Sequence, residues 1–129
     1  MREQRYTDAT AILRPLAEAG SAQAQERLAD AYVEGRGVPR NLVLAGQWYE
    51  KAGEQGVTNA QLKLGNMFAN GDGVPRNNNF AYVWYGIAAS MGSSAGKNEQ
   101  QKVGSLLQPA EREQADRVIA SKIAGMKKP

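Results

Sequence analysis

The sequence GRGVPRN at residues 35–41 returns as GDGVPRN at residues 71–77, after a spacing of 36 residues. Glycine readily adopts the left-handed backbone that ends a helix, and the proline that follows prevents the helix from continuing. The asparagine that closes each stretch is a preferred residue at the N-terminus of a new helix. The stretch therefore predicts a short loop between two helices, formed twice at a fixed period.

The repetition extends to both sides of this loop, because residues 21–56 align with residues 57–92 without a gap. Before each loop, apolar residues follow the i, i+4, i+7, i+8 spacing of an amphipathic helix, which we call helix A. Its stripe is Ala24, Leu28, Ala31 and Tyr32, then Ala60, Leu64, Met67 and Phe68. The stripe of a second helix, helix B, is Leu44, Ala45, Trp48, Tyr49 and Ala52, then Phe80, Ala81, Trp84, Tyr85 and Ala88. A repeat of this length is typical of solenoids.

Partial units flank the two full repeats. Residues 6–20 match helix B in phase and carry the apolar stripe Ala9, Ile12, Leu13 and Leu16. Residues 93–125 predict a degenerate unit, with a weaker helix A over 97–107. Its last helix is predicted to begin at Pro109 and run to about Gly125, and the polar segment 110–123 fits a terminal cap. We therefore expect one domain over residues 1–129, an all-α, right-handed solenoid of about seven helices. The four aromatic residues Trp48, Tyr49, Trp84 and Tyr85 are predicted to lie in its core.

The composition excludes much catalytic chemistry. The chain of 129 residues contains no cysteine and no histidine, so it has no thiolate nucleophile and no imidazole base. Its net charge of +3 is spread along the chain, which does not indicate nucleic-acid binding. No apolar run is long enough to cross a membrane, residues 1–5 contain no signal-peptide core, and Lys127-Lys128-Pro129 is predicted to be a solvated tail. We expect no cofactor, no metal, no nucleic-acid partner and no membrane insertion.

The repeating unit resembles the Sel1-like repeat, a relative of the tetratricopeptide repeat, in its Ala-Gln-x-x-Leu, Gly-x-Gly-Val-Pro and Trp-Tyr elements. The resemblance covers nearly the whole chain. It implies a right-handed α-solenoid that holds a protein or peptide partner. Because many members of this family are exported from bacteria and often act as adaptors, the resemblance favours a periplasmic or secreted adaptor or immunity-type protein.

Helix A carries the candidate binding residues, because A helices line the concave surface of two-helix solenoids. The residues outside its apolar stripe are Gln23, Arg27, Asp30, Glu34, Asn59, Leu62, Lys63, Asn66 and Asn70. Arg27 and Lys63 are 36 residues apart, as are Asp30 and Asn66, so each pair is expected to occupy neighbouring rungs of one groove. We expect their replacement to cost the fold little, since they avoid the packing stripe.

Two other functions stay open at this point. Ser94 and Lys97 have the Ser-x-x-Lys spacing of penicillin-recognising serine enzymes. Some cysteine-rich proteins of the Sel1-like repeat family, which this chain resembles, were reported as β-lactamases. The Ser-Asp-Asn and Lys-Thr-Gly partners of that motif do not occur in the sequence. A serine hydrolase (β-lactamase-like) centred on Ser94 is one alternative, and a structural scaffold of the cell envelope is the other. The leading hypothesis is a non-catalytic protein-binding module.

Overall fold

The computed structural model describes residues 2–126, which form seven α-helices and no strand. The helices are α1 (Arg2–Glu18), α2 (Ala22–Glu34), α3 (Leu42–Glu54), α4 (Thr58–Asn70), α5 (Asn78–Ser90), α6 (Ser94–Gly104) and α7 (Pro109–Met126). The predicted A helices are α2 and α4, and the predicted B helices are α3 and α5. The all-α solenoid expected from the sequence is confirmed. The basic tail predicted at residues 127–129 lies outside the described residues.

Helices α1 to α6 pack mainly against their neighbours in sequence, whereas α7 packs mainly against α5. The predicted caps set the limits of these helices. The side-chain oxygens of Asn41 and Asn77 accept hydrogen bonds of 3.0 Å from the backbone amides of Leu44 and Phe80. These bonds satisfy amide groups that the first turn of a helix leaves without a partner.

The second glycine of each loop is required by a close approach to the preceding helix B. A Cβ atom on Gly37 would lie 2.3 Å from the carbonyl oxygen of Tyr6, and one on Gly73 would lie 2.5 Å from that of Leu42. Both glycines also have φ near +75°, at 79° and 74°, which disfavours other residues. The loop of each repeat therefore rests on the backbone of the preceding helix B and fixes the spacing between hairpins.

The core contains most of the repeated apolar positions, but Phe80 is 52% exposed and the two tryptophans differ. Trp84 is 4% exposed, whereas Trp48 is only half-buried, so the prediction of a core position is wrong for Trp48. The reason is α7, which packs on α5 and holds the Lys122 amine 5.3 Å from the centre of the Trp84 ring. Trp48 instead has the amine of Lys51, from its own helix, 5.1 Å from its ring centre.

Helix α1 is longer and more exposed than predicted. It begins at Arg2 rather than near residue 6, and its buried residues are Thr10 and Ala17. Within the predicted stripe Ile12 and Leu16 are 64% and 50% exposed, Ala9 is exposed, and only Leu13 packs against the core. The difference arises because α2 is the main helical neighbour of α1, whereas α3 lies between α2 and α4.

The C-terminal unit follows the prediction with shifted bounds. Helix α6 begins at Ser94, three residues before the predicted start, because the Ser93 hydroxyl accepts a 2.9 Å hydrogen bond from the Gly96 amide. Helix α7 begins at Pro109 as predicted, and the Glu111 carboxylate accepts a 2.8 Å bond from the Gln108 amide just before it. This is one of the two hydrogen bonds of a capping box, the one from the N-cap amide to the side chain three residues later, and it stabilises the N-terminus of the last helix.

Candidate partner-binding groove

Two adjoining cavities lie along the face of the A helices. The larger, of about 480 Å³, has an apolar floor and a rim of charged or amide side chains. It is lined by Asp30, Val33, Glu34, Arg40, Leu42, Tyr49, Lys63, Asn66, Met67 and Asp72. The smaller, of about 190 Å³, shares Asp30 and Glu34 with it and adds Tyr6, Ala9, Thr10, Leu13, Arg27, Ala31 and Arg36. We call the two cavities together the helix A groove.

Asp30 lies at the junction of the two cavities and joins three helices. Its Oδ1 atom accepts a hydrogen bond from the Tyr49 hydroxyl of α3 and one of 2.9 Å from the Lys63 amine of α4. The Lys63 amine also lies 5.5 Å from the centre of the Tyr49 ring. Burial of the Tyr49 hydroxyl, followed by its hydrogen bond to Asp30, raises the pKa of this tyrosine well above its usual value.

The second repeat builds the same tyrosine contact with a neutral acceptor. The Tyr85 hydroxyl of α5 donates to the amide oxygen of Asn66 on α4, and the two contacts are related by the 36-residue shift. Burial raises the pKa of Tyr85 to about 12. In both repeats, a polar residue of helix A thus accepts a hydrogen bond from a buried tyrosine of helix B, and of these two tyrosines Tyr49 lines the groove.

Five of the nine residues predicted to bind a partner line the groove: Arg27, Asp30, Glu34, Lys63 and Asn66. The other four lie outside both cavities, where Gln23, Asn59 and Asn70 are exposed and Leu62 is partly buried against the core. Unlike the other predicted residues of the groove, Asp30 and Asn66 are expected to contribute to the stability of the fold. These two side chains accept the hydroxyls of buried tyrosines, and removing an acceptor leaves a buried donor without a partner.

The floor of the groove and much of its rim are not among the residues predicted from the sequence. Val33, Leu42 and Met67 form the apolar floor, and Arg40 and Asp72 come from the loops. Tyr49 was assigned to the core alone, although its hydroxyl reaches Asp30. One signal was available, since each tyrosine of helix B follows a polar residue of helix A by 19 residues in both repeats.

The residues of the hydrolase alternative lie on α6, away from the groove. Ser94 is the first residue of that helix, and both Ser94 and Lys97 are exposed. Within residues 2–126, no three carboxylates gather as a metal site would require. No helix in that part of the chain is long and apolar enough to cross a membrane.

The fold and the groove define an α-solenoid of helical hairpins with a recessed face. The Sel1 repeat family model matches residues 22–57 and 58–93, and the chain belongs to the Sel1 repeat family. The resemblance found in the sequence is thereby confirmed. Proteins with Sel1 repeats generally mediate protein–protein interactions.

Several solved structures resemble this chain. The structure of c5321, a protective antigen of uropathogenic Escherichia coli strains with an SLR fold, matches with a TM-score of 0.89 and 28% identity. That match covers 98% of this chain but only 27% of the antigen, so the chain spans about a quarter of its length. A Sel1 repeat protein from Oxalobacter formigenes is 38% identical, with a TM-score of 0.67, over 70% of this chain and 68% of that one. No curated protein matches the sequence.

Proposed function

We propose that this chain is a non-catalytic module that binds a partner protein or peptide in the helix A groove, as a bacterial adaptor or immunity-type protein. The observation that carries the proposal is the groove itself, with its apolar floor and charged rim drawn from two successive A helices. Binding sites in proteins commonly combine apolar area with a few polar groups that fix orientation. The general role of Sel1 repeats in protein–protein interaction supports the same conclusion.

The rim contains side chains that the fold does not need. Arg27 is exposed, and within the described residues it forms no ion pair or side-chain hydrogen bond. Glu34 is half exposed and has only a long contact, of 3.7 Å, with Arg36. Exposed contacts of this kind contribute little to stability, so these charges are available to a partner.

The test is a charge exchange within the groove, Arg27→Glu combined with Glu34→Lys, which leaves the net charge unchanged. The partner is first captured from the source organism with the immobilised chain, identified and purified. Its affinity for wild type and variant is then measured by calorimetry, with the melting temperature of each. We expect the melting temperature to change little and the affinity to fall at least tenfold, about 1.4 kcal/mol.

The matched control exchanges charges outside the groove, at the exposed residues Arg14 and Glu113. Arg14→Glu combined with Glu113→Lys preserves the net charge in the same way and should leave the affinity unchanged. If the control weakens binding and the groove exchange does not, the partner binds another surface and the proposal fails.

A further inference from the structure

We infer that the segment bound in the larger cavity presents an aliphatic side chain next to a lysine or arginine. This inference rests on the proposed function, because it describes the chemistry of the partner that would occupy the helix A groove. It follows from two features of that cavity. The first is its apolar floor, and the second is which charged side chains of its rim already have hydrogen-bond or ion-pair partners.

The floor of the larger cavity is suited to an aliphatic side chain. Val33, Leu42 and Met67 contribute apolar surface, and all three also pack against the hydrophobic core. The volume of about 480 Å³ falls within the range of ligand sites and holds more than one side chain. An aliphatic group placed here would lose its exposure to water on a surface that the core already supports.

The cations of the rim are already engaged. Lys63 donates to Asp30 at 2.9 Å and lies over the ring of Tyr49. Arg40 is tied back to the loop, because its Nε atom donates a 3.0 Å hydrogen bond to the carbonyl oxygen of Val33. Neither side chain needs an anion from a partner to hold its position.

Two carboxylates of the rim, those of Asp72 and Glu34, have no comparably close partner among the described residues. Asp72 is exposed and forms no ion pair or side-chain hydrogen bond within the described part of the chain. Glu34 has only its 3.7 Å contact with Arg36, whose guanidinium lies 5.0 Å from the centre of the Tyr6 ring.

The lining as a whole contains three carboxylates and two cations on a chain whose net charge is +3. The cavity therefore differs in sign from the molecule that carries it. This local excess of negative charge favours a cationic side chain.

The experiment titrates the ¹⁵N-labelled full chain with four acetylated and amidated tetrapeptides, observed by NMR. The probes are Gly-Leu-Lys-Gly, Gly-Leu-Gln-Gly, Gly-Leu-Glu-Gly and Gly-Ser-Lys-Gly. We expect Gly-Leu-Lys-Gly to shift the amide signals of Glu34, Leu42 and Asp72 and to bind about threefold more tightly than the glutamine peptide. The glutamate peptide and the serine peptide should bind more weakly than either.

The variant Glu34→Gln with Asp72→Asn should bind the lysine and glutamine peptides equally well. The leucine peptides should still shift the groove amide signals more than the serine peptide does. The control Glu18→Gln with Glu113→Gln changes the net charge equally at exposed residues outside the groove and should keep the preference. A preference for glutamate, or a lysine preference that survives the groove variant, would overturn the inference.

A failure of this inference can be told apart from a failure of the proposed function. If no peptide shifts the groove signals but the groove charge exchange still weakens the purified partner, the binding site stands and the basic aliphatic segment is wrong. If the groove exchange has no effect on the partner, the proposed function itself fails, and this inference fails with it.

Discussion

Replacing Met91 by glutamine should stabilise the protein, because the second repeat lacks a hydrogen bond that the first repeat has. Gln25 and Gln61 occupy the same position of helix A, and both donate to a carbonyl of the preceding helix B. In the first repeat, the side-chain amide of Gln55 donates 2.9 Å hydrogen bonds to the Gln25 oxygen and to the Gly20 carbonyl. In the second, Met91 stands at the position of Gln55, and among residues 2–126 the fully buried side-chain oxygen of Gln61 has no hydrogen-bond partner.

The expected gain follows from that unpaired oxygen. A buried polar group without a partner costs about 1–3 kcal/mol, and a new hydrogen bond recovers part of this cost. Met91 is 38% exposed and its sulfur contacts the Gln61 amide at 3.5 Å, so the substitution also removes some apolar contact. We expect a net gain of about 1 kcal/mol in the free energy of unfolding, or about 4 °C in melting temperature.

Urea unfolding followed by circular dichroism measures this gain, with Met91→Leu as the control that adds no donor. The reciprocal change, Gln55→Met, should leave the Gln25 oxygen unpaired and destabilise by about 1–2 kcal/mol. If Met91→Gln is no more stable than Met91→Leu, and Gln55→Met costs nothing, the hydrogen-bond argument is wrong.

Three further predictions follow from packing, ionisation and the alternative site. Trp84→Ala should lower the free energy of unfolding in urea by about 3–5 kcal/mol, and Trp48→Ala should lower it by clearly less, because only Trp84 is covered by α7. Equal losses in the two variants would contradict this. Burial raises the pKa of Tyr82 and of Tyr85 to about 12, so between pH 10 and 12 the unfolded chain releases protons that the folded chain keeps. The free energy of unfolding should fall over that interval, less steeply in Tyr85→Phe, and an identical slope would refute the assignment. Wild type and Ser94→Ala should show the same absence of nitrocefin hydrolysis, and Ser94-dependent turnover would restore the hydrolase alternative.

The fold could be predicted from the sequence because short local sequence patterns determine each element of the repeat. The loops and the helix caps form through local contacts, such as the hydrogen bonds of Asn41 and Asn77 with backbone amides three residues further on. The apolar stripes recur in phase. The errors occur where packing departs from the repeat. Trp48 and Ile12 occupy the same phase as Trp84, but only Trp84 is covered by a helix that returns from the C-terminal unit.

The groove was only partly predictable. Removing the apolar stripe of helix A identified Arg27 and Glu34 on the rim, because helical periodicity separates the two faces of a helix. The floor could not be derived in this way. Leu42 and Asp72 come from other segments, and their approach to helix A depends on how the loop rests on the preceding helix.

Site-specific photo-crosslinking tests most directly whether the partner occupies the helix A groove. Benzoylphenylalanine would replace Glu34 or Asp72 in the groove, and Gln47 or Glu113 at exposed positions outside it. Each variant is irradiated with the purified partner, and the covalent adducts are quantified by mass spectrometry. If the partner occupies the helix A groove, the two groove positions should give adducts and the other two should give little. Adducts from Gln47 or Glu113, with none from Glu34 or Asp72, would contradict it.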